Sequence, residues 1–270
     1  MIANLRISIA AFAGIFCFFL LGMSAIVLSG CASNAVSGGM NSDMVTDSDE
    51  PDTRKRARLR LELAVAYFDK GQTTDALDHL KQSIVADPNL FDAYNLRGLI
   101  YMRLNDVPLA EESFRRALAI NPKAASVQHN YGWLLCQQAR LPEAVQLFGN
   151  ALSNPGYGDR AKTWMAQGLC QQKYSQSAEA EASFLRSYEL DAGNPITAYN
   201  LSLLLFQRAE FVRAQFYVRR LNNSELANAE SLWLGIKVER RLDNREATSQ
   251  LGAQLKKRFP QSREYLAFER

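Results

Sequence analysis

Histidine is nearly missing from this chain of 270 residues, which has only His79 and His129. No Cys/His grouping has the spacing of zinc ligands, so a structural or catalytic zinc site has no basis here. No glycine-rich segment reads as a phosphate-cradling loop. Adjacent carboxylates such as Glu111-Glu112 fit a solvated helix surface. The formal net charge is only +3, which predicts neither strong attraction to nucleic acid nor an acidic tail. These shortages leave an enzyme without its usual chemical groups, and no cofactor is expected. Proline is also sparse at eight residues, and none interrupts the interior of a periodic apolar segment.

Apolar length is abundant at the start. Arg6 precedes an apolar run over residues 7–27, long enough to cross a bilayer. Leu28-Ser29-Gly30-Cys31 follows, an aliphatic residue and two small ones before a cysteine. This segment resembles the lipobox of bacterial lipoproteins, whereas an uncleaved anchor helix with an incidental cysteine is the alternative. The resemblance implies a signal peptide over residues 1–30, removal before Cys31, a diacylglyceryl group on its thiol and acylation of its amine. Each buried methylene adds about 0.8 kcal/mol, so several acyl chains hold where one holds only marginally. Ala32 rather than Asp after the cysteine implies, by the sorting rule of such lipoproteins, a periplasm-facing place on the outer membrane. Cys17 would leave with the leader. Residues 31–52 read as a lipidated flexible tether carrying Asp43, Asp47, Asp49, Glu50 and Asp52, with no Lys or Arg. The basic run Arg54-Lys55-Arg56-Ala57-Arg58 suits contact with acidic lipid head groups, but fits a solvated helix start better.

Residues 53–270 are dominated by an internal period. Pro88 and Pro122 stand 34 residues apart, each after an Asp or Asn that closes an apolar stretch. Aligning on them starts units near Ala57, Phe91, Ala125, Ala161, Ile196 and Asn228, the last ending close to Pro260. The eighth position is Ala64, Gly98, Gly132, Gly168, Leu203 and Gly235. The twentieth is Ala76, Ala110, Ala144, Ala180, Ala214 after one deletion, and Ala247; position twenty-four is Leu80, Phe114, Phe148, Phe184, Val218 and Leu251. Position eleven holds Tyr67, Tyr101, Leu135, Phe206 and Val238, with Gln171 as a polar exception. Small residues at eight and twenty let two antiparallel helices approach, and large ones at eleven and twenty-four fill the space beside them. Pro108 and Pro142 fall in the first turn of a second helix, where no amide donor is lost. One such pair cannot cover its own apolar face, so neighbours must stack.

This pattern resembles the tetratricopeptide repeat over residues 57–260. It predicts an all-α, right-handed superhelical solenoid of six helix pairs. Within these 270 residues, six repeats leave no stretch for a catalytic domain. A lipobox, a short acidic tether and six repeats together resemble the type IV pilus biogenesis lipoproteins. Tyr94-Asn95-Leu96-Arg97-Gly98, the segment from His129 to Cys136 and Arg258-Phe259-Pro260 add to that likeness. The resemblance implies a pilotin, which escorts the pilus secretin and promotes its multimerisation in the outer membrane, with other pilus-assembly proteins as further partners. An adaptor recruiting cell-wall hydrolases is the alternative that the same solenoid serves.

In this repeat family, positions two, five, nine, twelve and thirteen of the first helices line the concave face. Transferred here, they name Leu61, Val65 and Phe68; then Asn95, Leu99, Met102 and Arg103; then His129, Trp133 and Gln137. An apolar strip bordered by Asn and Arg suits a partner segment whose backbone needs hydrogen bonds. Packing between neighbouring helices is the competing role for Leu61, Val65 and Leu99. Trp133, Trp164 and Trp233 fit packing better than base stacking. Once the leader is removed and Cys31 lipidated, Cys136 and Cys170 remain, on first helices that are neighbours in the stack. Two small buried hydrophobes and a disulfide in an oxidising compartment both suit them, and the bridge is expected.

Overall fold

The computed structural model describes residues 51–270. The leader, the lipobox residues Leu28, Ser29 and Gly30, the lipid-acceptor Cys31 and all but the end of the tether lie outside the described residues. Within them the chain forms six antiparallel helix pairs and a short closing helix, with no strand among the described residues. The first pair is α1 (Asp52–Asp69) with α2 (Thr73–Ala86), and the second α3 (Phe91–Arg103) with α4 (Val107–Ile120). The third is α5 (Ala125–Gln137) with α6 (Leu141–Leu152), and the fourth α7 (Arg160–Lys173) with α8 (Ser177–Leu190). Then come α9 (Pro195–Gln207) with α10 (Phe211–Asn222), α11 (Ala229–Arg241) with α12 (Arg245–Arg258), and α13 (Arg263–Glu269).

Contacts between pairs are asymmetric. The backbone of each first helix approaches that of the first helix of the next pair, α1 to α3 through α9 to α11, whereas the backbones of successive second helices stay farther apart among the described residues. Helices α8 and α10 still meet through side chains, Tyr188 against Tyr217 and Glu181 with Arg213. The stack therefore curves with the first helices on its inner face. This is the tetratricopeptide arrangement that the period predicts.

The small-large pairing works as that period requires. Phe114, Phe148 and Phe184 are wholly buried, each against the glycine of its own pair. A Cβ on Gly98 would lie 2.5 Å from the Phe114 ring, and one on Gly168 2.7 Å from Phe184. Real side-chain atoms do not approach so closely, so the glycine is needed for the ring to seat. Ala76, Ala110, Ala144, Ala180 and Ala214 are fully buried on the facing helices. Each ring contributes about 1.5–3 kcal/mol by leaving water.

The turn inside each pair fixes the register independently of these side chains. One residue per turn has a left-handed backbone: Gly71, Asn105, Ala139, Ser175, Ala209 and Asp243. The next amide donates to the carbonyl five residues back: Gln72 to Tyr67, Asp106 to Tyr101, Arg140 to Leu135, Gln176 to Gln171, Glu210 to Leu205 and Asn244 to Glu239. This is the Schellman closure of a helix end. It corrects unit five by one residue. Asn194 caps α9 by accepting from the amides of Ile196 and Thr197, and Pro195 occupies the first turn, so the helix starts at Pro195 rather than Ile196. Position eight is then Ser202, fully buried, and position eleven Leu205, also fully buried. No deletion is needed to reach Ala214. Leu203 and Phe206 move to positions nine and twelve. In unit six the same rule puts Glu239, not Val238, at position eleven and Ile236, not Gly235, at position eight.

Helix α13 lies beyond Pro260, where the period ends. It packs on both α11 and α12, the place a seventh first helix would take. Ser262 caps it through the Tyr265 amide. A Cβ on Gly252 would lie 2.3 Å from the Phe268 ring, so that glycine admits the closing helix.

Candidate partner-binding face

Position nine of successive first helices reads Val65, Leu99, Trp133, Leu169, Leu203 and Lys237 once the register is corrected. Val65 is 40% exposed, while Leu99, Trp133, Leu169 and Leu203 are half-buried against the core clusters beneath them. An apolar line thus runs along the inner face through five units and ends on a cation. Val65 is open to a partner, whereas Leu61, Met102 and Phe68 are partly spent on packing.

Polar groups at the rim are held in place. The Arg103 guanidinium lies 3.6 Å from the centroid of the Phe68 ring, and its Nη1 donates to the Phe68 carbonyl at 2.6 Å. Arg103 therefore ties pair two to pair one. Asn130 Nδ2 donates to Asn95 Oδ1 at 3.0 Å, linking pairs two and three. Asn130 was not among the expected residues because it stands at position six, beside the sites that the family pattern marks. Gln137 is exposed at the end of α5.

His129 is the correction on this face. It is only 9% exposed, with Nδ1 2.8 Å from Thr163 Oγ1 and its ring centroid 5.9 Å from that of Phe148. Thr163 in turn donates to the Tyr157 hydroxyl at 3.2 Å. Burial first, and the nearby Lys162 charge second, lower the His129 pKa from 6.5 to about 4, against an opposing effect of Asp159. The imidazole is a neutral packing group between α5, α6 and α7, not a groove ligand. Tyr157, in the turn-rich insertion before α7, is linked to it through Thr163.

Cys136 and Cys170 form a disulfide with a Cα–Cα distance of 5.9 Å. It ties α5 to α7, and by chain entropy closing its loop of 34 residues contributes about 3–4 kcal/mol. The Tyr174 hydroxyl donates to the Cys136 carbonyl at 2.8 Å, across the same junction. Gln171, the polar exception at position eleven, is buried but satisfied: it accepts from Ser183 Oγ at 2.7 Å, which accepts from Gln167 at 3.2 Å.

Second helices are joined to the next pair by ions. Glu111 accepts from Arg140 at 2.9 Å and from the Tyr131 hydroxyl at 2.7 Å. These bonds and the Arg115 charge hold its carboxyl below the ordinary range despite opposing burial. Glu181 pairs with Arg208 and Arg213 in the following unit. Unit six carries the deepest such group. Glu239 is wholly buried and accepts from Arg219 Nε at 2.6 Å and Nη2 at 3.0 Å, and from Gln215 at 2.9 Å.

Comparison with known proteins matches this geometry. A tetratricopeptide repeat family model matches residues 61–125. The chain is 29% identical to the type IV pilus assembly protein PilF of Pseudomonas aeruginosa, over 93% of this chain and 96% of that one. The solved structure of Pseudomonas aeruginosa PilF superposes with a TM-score of 0.73 at 29% identity, covering 81% of this chain and 99% of that one. That of PilW, described as a widely conserved type IV pilus biogenesis factor, superposes with a TM-score of 0.69, also at 29% identity, over 79% and 98%. The chain is thus a tetratricopeptide solenoid similar, along almost its whole length, to type IV pilus factors.

Proposed function

We propose that this chain is a lipid-anchored pilotin of the outer membrane. In this reading it faces the periplasm, binds the type IV pilus secretin along its concave face and promotes assembly of the secretin ring. It acts by binding and turns over no substrate. The observation that carries this reading is the likeness to PilF over 93% of the chain. The lipobox ending at Cys31 supports the anchor, and the inner apolar line from Val65 to Leu203 supplies a surface for a partner segment.

Three parts of the proposal separate in one genetic experiment, read as secretin multimers on a gel and as surface pili. Removing the gene is expected to abolish multimers. Cys31→Ser, which cannot take a lipid, is expected to leave the protein in the periplasm and to reduce multimers in the outer membrane. Leu99→Glu, which puts a charge in the apolar line, is expected to keep the anchor but weaken secretin capture. Undiminished multimers and pili after gene removal would exclude the pilotin role. Normal outer-membrane fractionation of Cys31→Ser would exclude the anchor.

A further inference from the structure

The last pair departs from the others in the charge it turns inward. At position nine, where five units carry apolar side chains, α11 carries Lys237, followed by Arg240 and Arg241 at positions twelve and thirteen. These cations lie against rings rather than acids. Lys237 Nζ is 5.5 Å from the Phe206 centroid and 5.9 Å from that of Trp233. The Arg240 guanidinium is 5.6 Å from Trp233 and 5.2 Å from Phe268, and that of Arg241 is 5.6 Å from Phe211. Among the described residues, no carboxylate pairs with any of the three. Arg140, Arg208, Arg213 and Arg219, by contrast, all close ion pairs.

A cavity of about 360 Å³ opens beside Lys237, lined also by Tyr199, Trp233 and Ala267. Its two carboxylates are already engaged: Arg263 donates to Glu264 at 2.7 Å and to Glu230 at 3.1 Å. The cation left over is Lys237. Burial pushes its pKa down with no acid to restore it. Aromatic faces return only part of what an ammonium loses on leaving water. An incoming carboxylate therefore meets a cation already partly stripped of water and held in place, where pairing is worth more than on an open surface.

We propose that the α11 end of the concave face is an acid-recognising docking site. It takes a partner polypeptide segment in which an Asp or Glu follows apolar residues. The carboxylate sits on Lys237 and Arg240, and the apolar side chains lie over Phe206, Trp233 and the line leading back to Leu203. The site sets the direction in which the segment lies, acid towards α11. This rests on the reading of the concave face as the partner surface.

The test selects a random peptide library displayed on phage against the full chain in detergent, then measures the recovered peptides on variants. Recovered sequences are expected to place Asp or Glu next to aliphatic or aromatic residues. Their affinity is expected to fall about tenfold on Lys237→Glu and to stay within about threefold on Lys237→Arg, since the charge is kept. Leu203→Glu is expected to weaken the same peptides. Melting curves that match wild type show that each variant is folded. Peptides without acid enrichment, or acidic peptides indifferent to Lys237→Glu, overturn the site. Sensitivity to Leu203→Glu alone leaves the concave reading standing and removes this one. Indifference to both substitutions, or an empty selection, removes both.

Discussion

Units two to four and units five and six have the same backbone but are packed by different chemistry. In the former, a glycine faces a phenylalanine three times over: Gly98 with Phe114, Gly132 with Phe148 and Gly168 with Phe184. In unit five the corresponding residues are Ser202 and Val218, both fully buried, and Ser202 satisfies its hydroxyl on the Ala198 carbonyl at 2.8 Å. In unit six the buried carboxylate Glu239 stands where unit three has Leu135. The helix pair therefore tolerates apolar filling or a satisfied polar network at the same position. The Schellman turn and the stacking of neighbours are what all six units share. The disulfide reinforces the middle units with their glycine–phenylalanine seats, and the last unit carries Lys237, Arg240 and Arg241 on its inner face, the two arginines exposed.

The largest effect that tests this contrast is expected at Arg219. Arg219→Ala leaves the wholly buried Glu239 carboxylate with Gln215 alone, and a loss of about 3–5 kcal/mol is expected in urea denaturation. Replacing both partners with leucine, to imitate unit three, is expected to leave stability unchanged or higher. A loss below about 1 kcal/mol for the single change would mean that Glu239 reaches water.

Acid should act first on the middle units. His129 in the folded chain resists protonation down to about pH 4, whereas the unfolded chain takes the proton near 6.5. Its contribution is therefore complete above pH 6.5 and is lost as the pH falls towards 4, up to about 3 kcal/mol in all. Melting curves across that window are expected to show this slope, and His129→Gln to flatten it. An unchanged slope in the variant would assign the acid sensitivity to other groups.

Gly168→Ala drives a methyl group into the Phe184 ring and is expected to cost about 1–3 kcal/mol. Ser202→Ala, the equivalent position in unit five, already has room for a Cβ and is expected to cost less. Equal losses at the two sites would erase the distinction between the regions. The smallest effect is a gain. Ala139 has φ 61° and Ala209 also 61°, a conformation that disfavours a Cβ by roughly 1–2 kcal/mol. After the added flexibility of the unfolded chain is subtracted, Ala139→Gly is expected to stabilise by about 0.5–1 kcal/mol, read as a higher melting temperature.

Most of the architecture was legible from spacing, because alanine and glycine at positions eight and twenty report a steric need that recurs every 34 residues. The register of unit five was not legible in the same way. Leu203 imitates a core residue, and the Asn194 cap and the Schellman closure from the Glu210 amide to the Leu205 carbonyl show that the helix begins one residue earlier. That slip concealed Leu203 and Phe206 as members of the inner face. His129 was misplaced for another reason. Its position belongs to the concave set, but Thr163 and Phe148 lie against its buried ring, and such three-dimensional cover has no local sequence signal. The cations at Lys237, Arg240 and Arg241 were plain in the sequence, but their lack of acidic partners depends on where α9 and α13 bring their rings and carboxylates.

The central claim is that the inner line at position nine receives the secretin. Site-specific photocross-linking in cells tests it most directly, with a benzophenone side chain placed in turn at 99, 169 and 203, and at the outward 85 and 216. The account predicts secretin cross-links from the three inner positions and none from Val85 or Phe216, which are 82% and 61% exposed. Cross-links confined to the outer positions would contradict it.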